Sequence, residues 1–164
     1  MEIKFRVAAR IARPIEEVFD AVVSPDKLSQ YFTTGGAVGK MEPGATVKWD
    51  FHDYPGAFDV EIVEVVANKR IVLEWPAYEC EPPNVDSAAD HDAAALADYN
   101  TTVTMTFTEV EGGTMVEIAE EGWHNTPDAR EGSYGNCQGW SQMLCCLKAW
   151  LEHGINLREG MYKA

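Results

Sequence analysis

The chain opens on "EIKFRVAARI", where Ile3, Phe5 and Val7 alternate with Glu2, Lys4 and Arg6, the two-residue period of a strand with one buried face. The period then changes. In "ARPIEEVFDAVV" the residues Ile15, Val18, Phe19 and Val22 recur at helical spacing, and Pro14, Glu16 and Glu17 suit a first helical turn and its positive dipole end. Ser24-Pro25 ends that helix and caps a second, short one through Leu28. From Gly35 the strand period returns. "GAVGKM" turns at Glu42-Pro43-Gly44 into "ATVKWDF", with Val47, Trp49 and Phe51 on one face. "AFDVEIVEVV" and "RIVLEW" meet at a turn around Asn68-Lys69, and "TTVTMTFTEVEGGTMVEIAE" reads as a hairpin about Gly112-Gly113. Consecutive short strands on tight turns predict one antiparallel sheet.

One stretch breaks the pattern. Pro76 to Asn100, "PAYECEPPNVDSAADHDAAALADYN", has the look of an acidic insertion at about 76–100, with a short helix capped by Asp86 or Ser87. Its polar, acidic run from Pro83 to Asn100 is expected to be the most mobile region and a lid. The last element is "NCQGWSQMLCCLKAWLEHG", Asn136 to Gly154. At about 100° per residue, Asn136, Trp140, Met143, Leu144, Leu147, Leu151 and Gly154 share one arc, while Gln138, Ser141, Gln142, Cys145, Lys148, Glu152 and His153 oppose it. The order of strand, two short helices, six strands and a long helix predicts an α+β fold. A curved antiparallel sheet of six to seven strands would wrap around the C-terminal helix. The inward side chains are mostly aromatic or long: Phe5, Trp49, Phe51, Trp75, Met105, Phe107, Trp140, Met143 and Leu144. Such a lining fits a plain core and equally a ligand pocket of roughly 300–1,000 Å³.

Composition narrows the functions. With 27 acidic against 13 basic residues in 164, a net charge of −14 disfavours nucleic acid and anionic membrane surfaces as partners. The N-terminus has no apolar run of a signal peptide or anchor, and no stretch approaches the ~20 apolar residues of a membrane span. The cysteines at 80, 137, 145 and 146 form no framework, so reduced thiols and a cytoplasmic location are expected.

Candidate chemistry is sparse. Glu61, Glu64, Glu74, Glu117 and Glu120 fall in strands, and an inward one could act as a base. Glu120 stands out because it continues the Val116–Ile118 face; the plainer reading is a carboxylate at the sheet edge reaching water. His52, His91, His124 and His153 have no metal-site spacing, so no metal or cofactor is expected. Asp86, Asp90, Asp92 and Asp98 lack the glycine and terminal glutamate of a calcium loop. Cys137 and Cys146 lack a basic neighbour to activate them and read as structural thiols. No catalytic residue is assigned.

Taken together, "ARPIEEVFDAVVSPDKLSQYF", "GAFDVEIVEVVANKRIVLEW", "GGTMVEIAEEGW" and "GWSQMLCCLKAWLEHG" resemble the START-like (SRPBCC) superfamily. Within it they are most similar to the branch named after the C-terminal domain of the heat-shock-ATPase activator (Aha-type). The resemblance covers nearly the whole chain outside Pro76–Asn100. It implies a single START-like domain over 1–164, a helix-grip fold, and a deep apolar cavity between sheet and last helix. Members bind or act on lipids, sterols, polyketides and other small hydrophobic molecules. Nothing here corresponds to the separate N-terminal domain with which the eukaryotic activator engages its chaperone, so chaperone activation is not expected.

On this basis the expected function is binding of a small hydrophobic or aromatic molecule. Phe19 and Phe32 would close one end of the cavity. Trp49, Phe51, Trp75, Met105 and Phe107 would form its floor, and Trp140, Met143 and Leu144 its roof. Tyr31, Glu120 or Asn136 would orient the ligand. A cyclase-, aromatase- or hydrolase-type enzyme using an inward carboxylate is the alternative, and a chaperone-associated stress-response protein is a third reading. A homodimer is compatible with all of these.

Overall fold

Alternation in the sequence becomes a single antiparallel sheet in the computed structural model, which describes residues 1–53, 56–79 and 95–162. Its strands are β1 (Ile3–Ile11), β2 (Gly36–Val38), β3 (Thr46–Asp50), β4 (Phe58–Val66), β5 (Arg70–Glu79), β6 (Ala95–Val110) and β7 (Gly113–Trp123). They lie in the order β1-β7-β6-β5-β4-β3-β2. The first and last strands therefore pair, with Val7 opposite Ile118. Register shifts at Ile3/Phe5, Ile62/Glu64 and Pro76/Tyr78 bend the strands, as an extra residue in a ladder does. Helices α1 (Ile15–Val23) and α2 (Pro25–Leu28) come directly after β1, and α3 (Pro127–His153) lies in the concave face. This is the predicted α+β helix-grip architecture, with seven strands.

The main core sits where α1 and α3 meet the inner sheet. Val18 and Val22 of α1 and Leu144 and Leu147 of α3 are buried in one cluster with Ile71, Leu73, Val103, Met105, Val116 and Ile118. Each fully buried aliphatic side chain contributes about 1.5–3 kcal/mol. Cys146 is buried with them, whereas Cys145, its neighbour in the chain, is exposed, as the wheel predicts. Cys145 is therefore expected to react with a thiol reagent in the native state, and Cys146 only on unfolding. Equal protection of the two, measured by mass spectrometry of the labelled protein, would show that a partner covers the outer face of α3.

Two elements differ from expectation. The stretch read as lacking strand character has strand at both ends, Pro76–Glu79 and Ala95–Asn100, where Tyr78 pairs with Leu96 and Glu79 with Ala95. Ala97 and Tyr99 pack on a second small cluster of Ala77, Trp123 and Ala129, and the Tyr99 hydroxyl donates to Glu79 Oε1 at 3.0 Å. That packing and pairing prevail over the helix tendency of the alanine-rich run. The remainder of the expected lid and capped helix, with Asp86, Asp90, Asp92 and His91, lies outside the described residues. The other difference is that α3 begins nine residues before Asn136, at Pro127. Thr126 caps it by accepting from the Ala129 amide at 3.1 Å, and Pro127 occupies the first turn. The early turns carry glycines for a packing reason. A Cβ at Gly132 would lie 1.7 Å from the Tyr78 carbonyl oxygen, so only glycine lets α3 rest directly on β5.

Candidate ligand-binding site

Strand phase fixes the centre of the site. Along β7 the inward positions are Thr114, Val116, Ile118 and Glu120, so the alternation that buries two aliphatic residues also buries a carboxylate. Glu120 is 0% exposed. It lies among donors. Trp75 Nε1 from β5 donates to Oε1 at 3.0 Å, Thr101 Oγ1 from β6 at 2.6 Å, and Asn136 Nδ2 from α3 at 3.0 Å. Trp140 Nε1, one helical turn after Asn136, donates to Oε2 at 2.8 Å. Burial pushes the Glu120 carboxyl above its ordinary range, although the hydrogen bonds from Thr101, Trp75, Trp140 and Asn136 each favour the charged form. The carboxylate thus ties two strands to α3 and sets how both indoles face.

Those indoles belong to an aromatic cluster. Trp75 and Trp140 have ring centroids 5.1 Å apart, and Phe32 stacks on Trp140 at 5.7 Å with an interplanar angle of 28°. Phe32 also meets Trp49 and Phe51 edge-on at 5.6 and 5.1 Å. Between this cluster, β5 and α3 lies a cavity of about 230 Å³. Phe51, Phe58, Trp75, Pro76 and Tyr78 line it on the sheet side, with Phe32 beside them. Gly135, Asn136, Gly139, Trp140, Gln142 and Met143 line it from α3. Arg158 and Tyr162, from the turns after the helix, complete the wall. This volume falls below the ~300–1,000 Å³ expected of a drug-sized pocket. It exceeds the about 150 Å³ in which benzene is held.

Polar groups at the wall are mostly committed elsewhere. The Arg158 guanidinium forms a two-pronged ion pair with Asp53, with Nη2 to Oδ1 at 2.7 Å and a second bond from Nη1 to Oδ2, and both side chains are less than a tenth exposed. The Arg158 hydrogen bond and charge hold the Asp53 carboxyl below its usual value. The guanidinium also lies over the Tyr162 ring, 4.6 Å from its centroid. Gln142 is different. Its amide oxygen is buried and has no hydrogen-bond partner among the described residues.

Of the residues expected at the cavity, Phe32, Phe51, Trp75, Trp140 and Met143 line it, as does Asn136. The others do not. Trp49 stands behind the wall, edge-on to Trp75 and Trp140. Phe19 and Phe107 pair with each other at 5.1 Å in the main core, and Met105 and Leu144 are buried there too. Tyr31 stacks on Trp150, and its hydroxyl donates to the Ala21 carbonyl at 3.0 Å instead of reaching a ligand. The reason is shared: α1 and the middle of α3 pack on the inner faces of β1, β6 and β7 and bury these side chains there, to one side of the cavity beside β5. Glu120 neither reaches water at an edge nor touches the cavity, because its four donors stand between. Three of the remaining strand carboxylates face outward, Glu61 accepting from Thr46, Glu64 pairing with Arg70 and Glu117 with Arg6.

Sequence reasoning missed Arg158 and Tyr162, which come after the helix in a segment without periodicity, and the partner Asp53. The wheel set Gln142 opposite the apolar arc, whereas it lines the cavity, and Gly135 and Gly139 were missed as well. A Cβ at either would meet nothing within 4 Å. Glycine in a helix interior costs about 1 kcal/mol relative to alanine, so unoccupied space beside two of them on the cavity side is informative. Their spacing of four residues, close to Gly132 and Trp140 on the same helix, was the available signal.

Comparisons with known proteins place the fold in a family. A sequence profile of the family described as activator of Hsp90 ATPase homolog 1-like protein matches residues 12–152. The chain belongs to this family. Among solved structures it is similar to the protein SSP2350 of Staphylococcus saprophyticus, with 26% identity, a TM-score of 0.72, and 95% of this chain and 96% of that one covered. The Aha1 dimer of Colwellia psychrerythraea shares the fold at 21% identity and a TM-score of 0.68, over 93% and 98% of the two chains. So does DynU16, a protein of the dynemicin biosynthetic locus, at 22% identity and a TM-score of 0.72, over 92% of this chain and 48% of that one. No curated protein sequence matches the chain. Among the described residues no helix is long and apolar enough to cross a membrane.

Proposed function

We propose that this family member binds a small, planar aromatic molecule in the cavity between β5 and α3. One observation carries the reading: both tryptophans of the wall turn their N–H groups away to Glu120. They therefore present carbon faces to a space kept open beside two helical glycines. A ring seated there gains stacking of about 0.5–1.5 kcal/mol beyond its burial. At about 230 Å³ the cavity suits one or two fused rings better than a sterol or a lipid chain. DynU16, which shares the fold, comes from a biosynthetic locus, a setting in keeping with a small-molecule ligand. An enzyme using Glu120 as a base is the weaker reading, since both carboxylate oxygens already accept bonds from the wall. The Colwellia dimer makes a homodimer the assembly to look for by light scattering. The free thiols of Cys137, Cys145 and Cys146 suit a reducing, cytoplasmic setting.

Tryptophan emission tests the proposal. Naphthalene is expected to quench or shift the fluorescence saturably, and Trp75→Phe and Trp140→Phe should each remove a large share of that response. Trp150→Phe should not, because Trp150 stacks on Tyr31 away from the cavity. A response that survives both cavity substitutions and vanishes with Trp150 would place the ligand elsewhere.

A further inference from the structure

Two carboxylates are bonded to the wall of the cavity, and only one of them has a counter-charge. Asp53 is matched by the Arg158 guanidinium in the two-pronged pair. Glu120, fully buried, accepts from two indoles, an amide and a hydroxyl, all of them neutral donors. No cationic side chain acts on it among the described residues. Hydrogen bonds satisfy the oxygens of a buried carboxylate but leave its charge in place, and buried charges are ordinarily paired. Three of the four donors, Trp75, Asn136 and Trp140, also line the cavity, so that charge lies one side chain away from open space. Two carboxylates against one guanidinium leave the site with negative charge in excess.

We infer that the ligand brings the missing counter-charge: the cavity takes a one- or two-ring aromatic cation, and Glu120 selects for positive charge through the indoles that it positions. A quaternary ring nitrogen suits the site best, because it carries no N–H and asks for no acceptor in the wall. The aromatic lining favours such an ion on a second count. Phe32, Phe51, Phe58, Trp75, Tyr78 and Trp140 all border the space, and aromatic rings attract cations to their faces. Donation of the indole N–H groups to a carboxylate also polarises both indoles toward more electron-rich rings. An anionic ring would meet an excess of its own sign and would have to displace Asp53 from Arg158. This ligand class presupposes the aromatic-binding cavity proposed above.

N-methylquinolinium and 1-methylnaphthalene separate charge from shape, because they differ in a ring N⁺ against a ring carbon. Titration calorimetry of the full chain, in mildly alkaline buffer that favours the ionised carboxyl, is expected to show the cation binding about tenfold more tightly. 1-Naphthoate should bind least. Glu120→Gln keeps the outline of the side chain and removes its charge, and it should bring the first two probes within about twofold or reverse their order. The double variant Asp53→Asn/Arg158→Gln removes the neutral pair and leaves Glu120, so the preference for the cation should persist there. It also tests the role of Glu120 if Glu120→Gln does not fold. Equal or tighter binding of 1-methylnaphthalene, or tightest binding of 1-naphthoate, by the parent protein would overturn the cationic class while leaving aromatic binding intact. A preference that survives in folded Glu120→Gln, or is lost in the double variant, would overturn the role of Glu120. Absence of binding by all three probes would overturn the aromatic site itself, and the cationic class with it.

Discussion

Glu120→Ala is expected to destabilise the protein by at least about 4 kcal/mol. The substitution removes the common acceptor of two indoles, an amide and a hydroxyl, the first three of which join β5 and α3 through it. Each buried donor left unpaired costs about 1–3 kcal/mol, and the adjoining cavity lets water relieve some of it, so the low end applies to each. Glu120→Gln keeps the shape but turns one acceptor into a donor facing donors, and a loss of about 1–3 kcal/mol is expected. Urea titration measures both, with the slope unchanged if the unfolded state is unaffected.

The same carboxyl gives stability a pH dependence of a definite sign. Burial raises its pKa in the folded state, so the native protein holds this proton more firmly than the unfolded chain does. The resulting stabilisation is complete below the ordinary glutamate range and is lost as pH rises through the folded value. Asp53, held low by Arg158, works oppositely, contributing stability above the ordinary aspartate range that is lost in acid. Subtracting the Glu120→Gln curve from that of the parent isolates the first effect. A flat difference across the range from ordinary glutamate titration to neutrality would mean that the four donors cancel burial and Glu120 is ionised throughout.

Much of this was readable from residue order, and the boundary has physical causes. Strand and helix periods are local, so β1, the α1–α2 pair, the β6–β7 hairpin and the inner face of β7 could be placed from spacing alone. The inward direction of Glu120 came from the same alternation. What it meets there did not, because its donors come from β5, β6 and α3. Likewise nothing local links Asp53 to Arg158, 105 residues apart. The aromatic list was too generous for a related reason: periodicity says that Trp49, Met105, Phe107 and Leu144 point inward, not which end of the sheet the helices leave unfilled. The start of α3 was hidden by its glycines, which lower helix propensity in the turns that must lie close to β5 and beside the cavity.

Those glycines carry the prediction that separates a cavity from a loosely packed core. Gly139→Leu is expected to make the protein more stable and to abolish ligand binding. In the middle of α3, leaving glycine restores about 1 kcal/mol of helix propensity, and Gly139→Ala should show that gain by itself. A Cβ there meets no atom within 4 Å, and Gly139 lines the same cavity as Phe32, Trp75, Trp140 and Met143, so a leucine is expected to direct its methyl groups toward them. Burial of that apolar surface adds to the gain at about 25 cal/mol per Å². The same atoms occupy much of a space of about 230 Å³, so affinity for naphthalene or indole should fall by well over tenfold. Gly135→Ala, at a more exposed position, should share the propensity gain with a much smaller loss of affinity. Thermal unfolding and calorimetry on the same preparations read the two quantities separately. A destabilised Gly139→Leu protein would show that no room exists beside the helix. Retained affinity would show that the ring sits somewhere else. Opposite signs for stability and affinity from one side chain are what a helix yielding propensity to a ligand requires, and a merely imperfect core would improve in stability with no binding to lose.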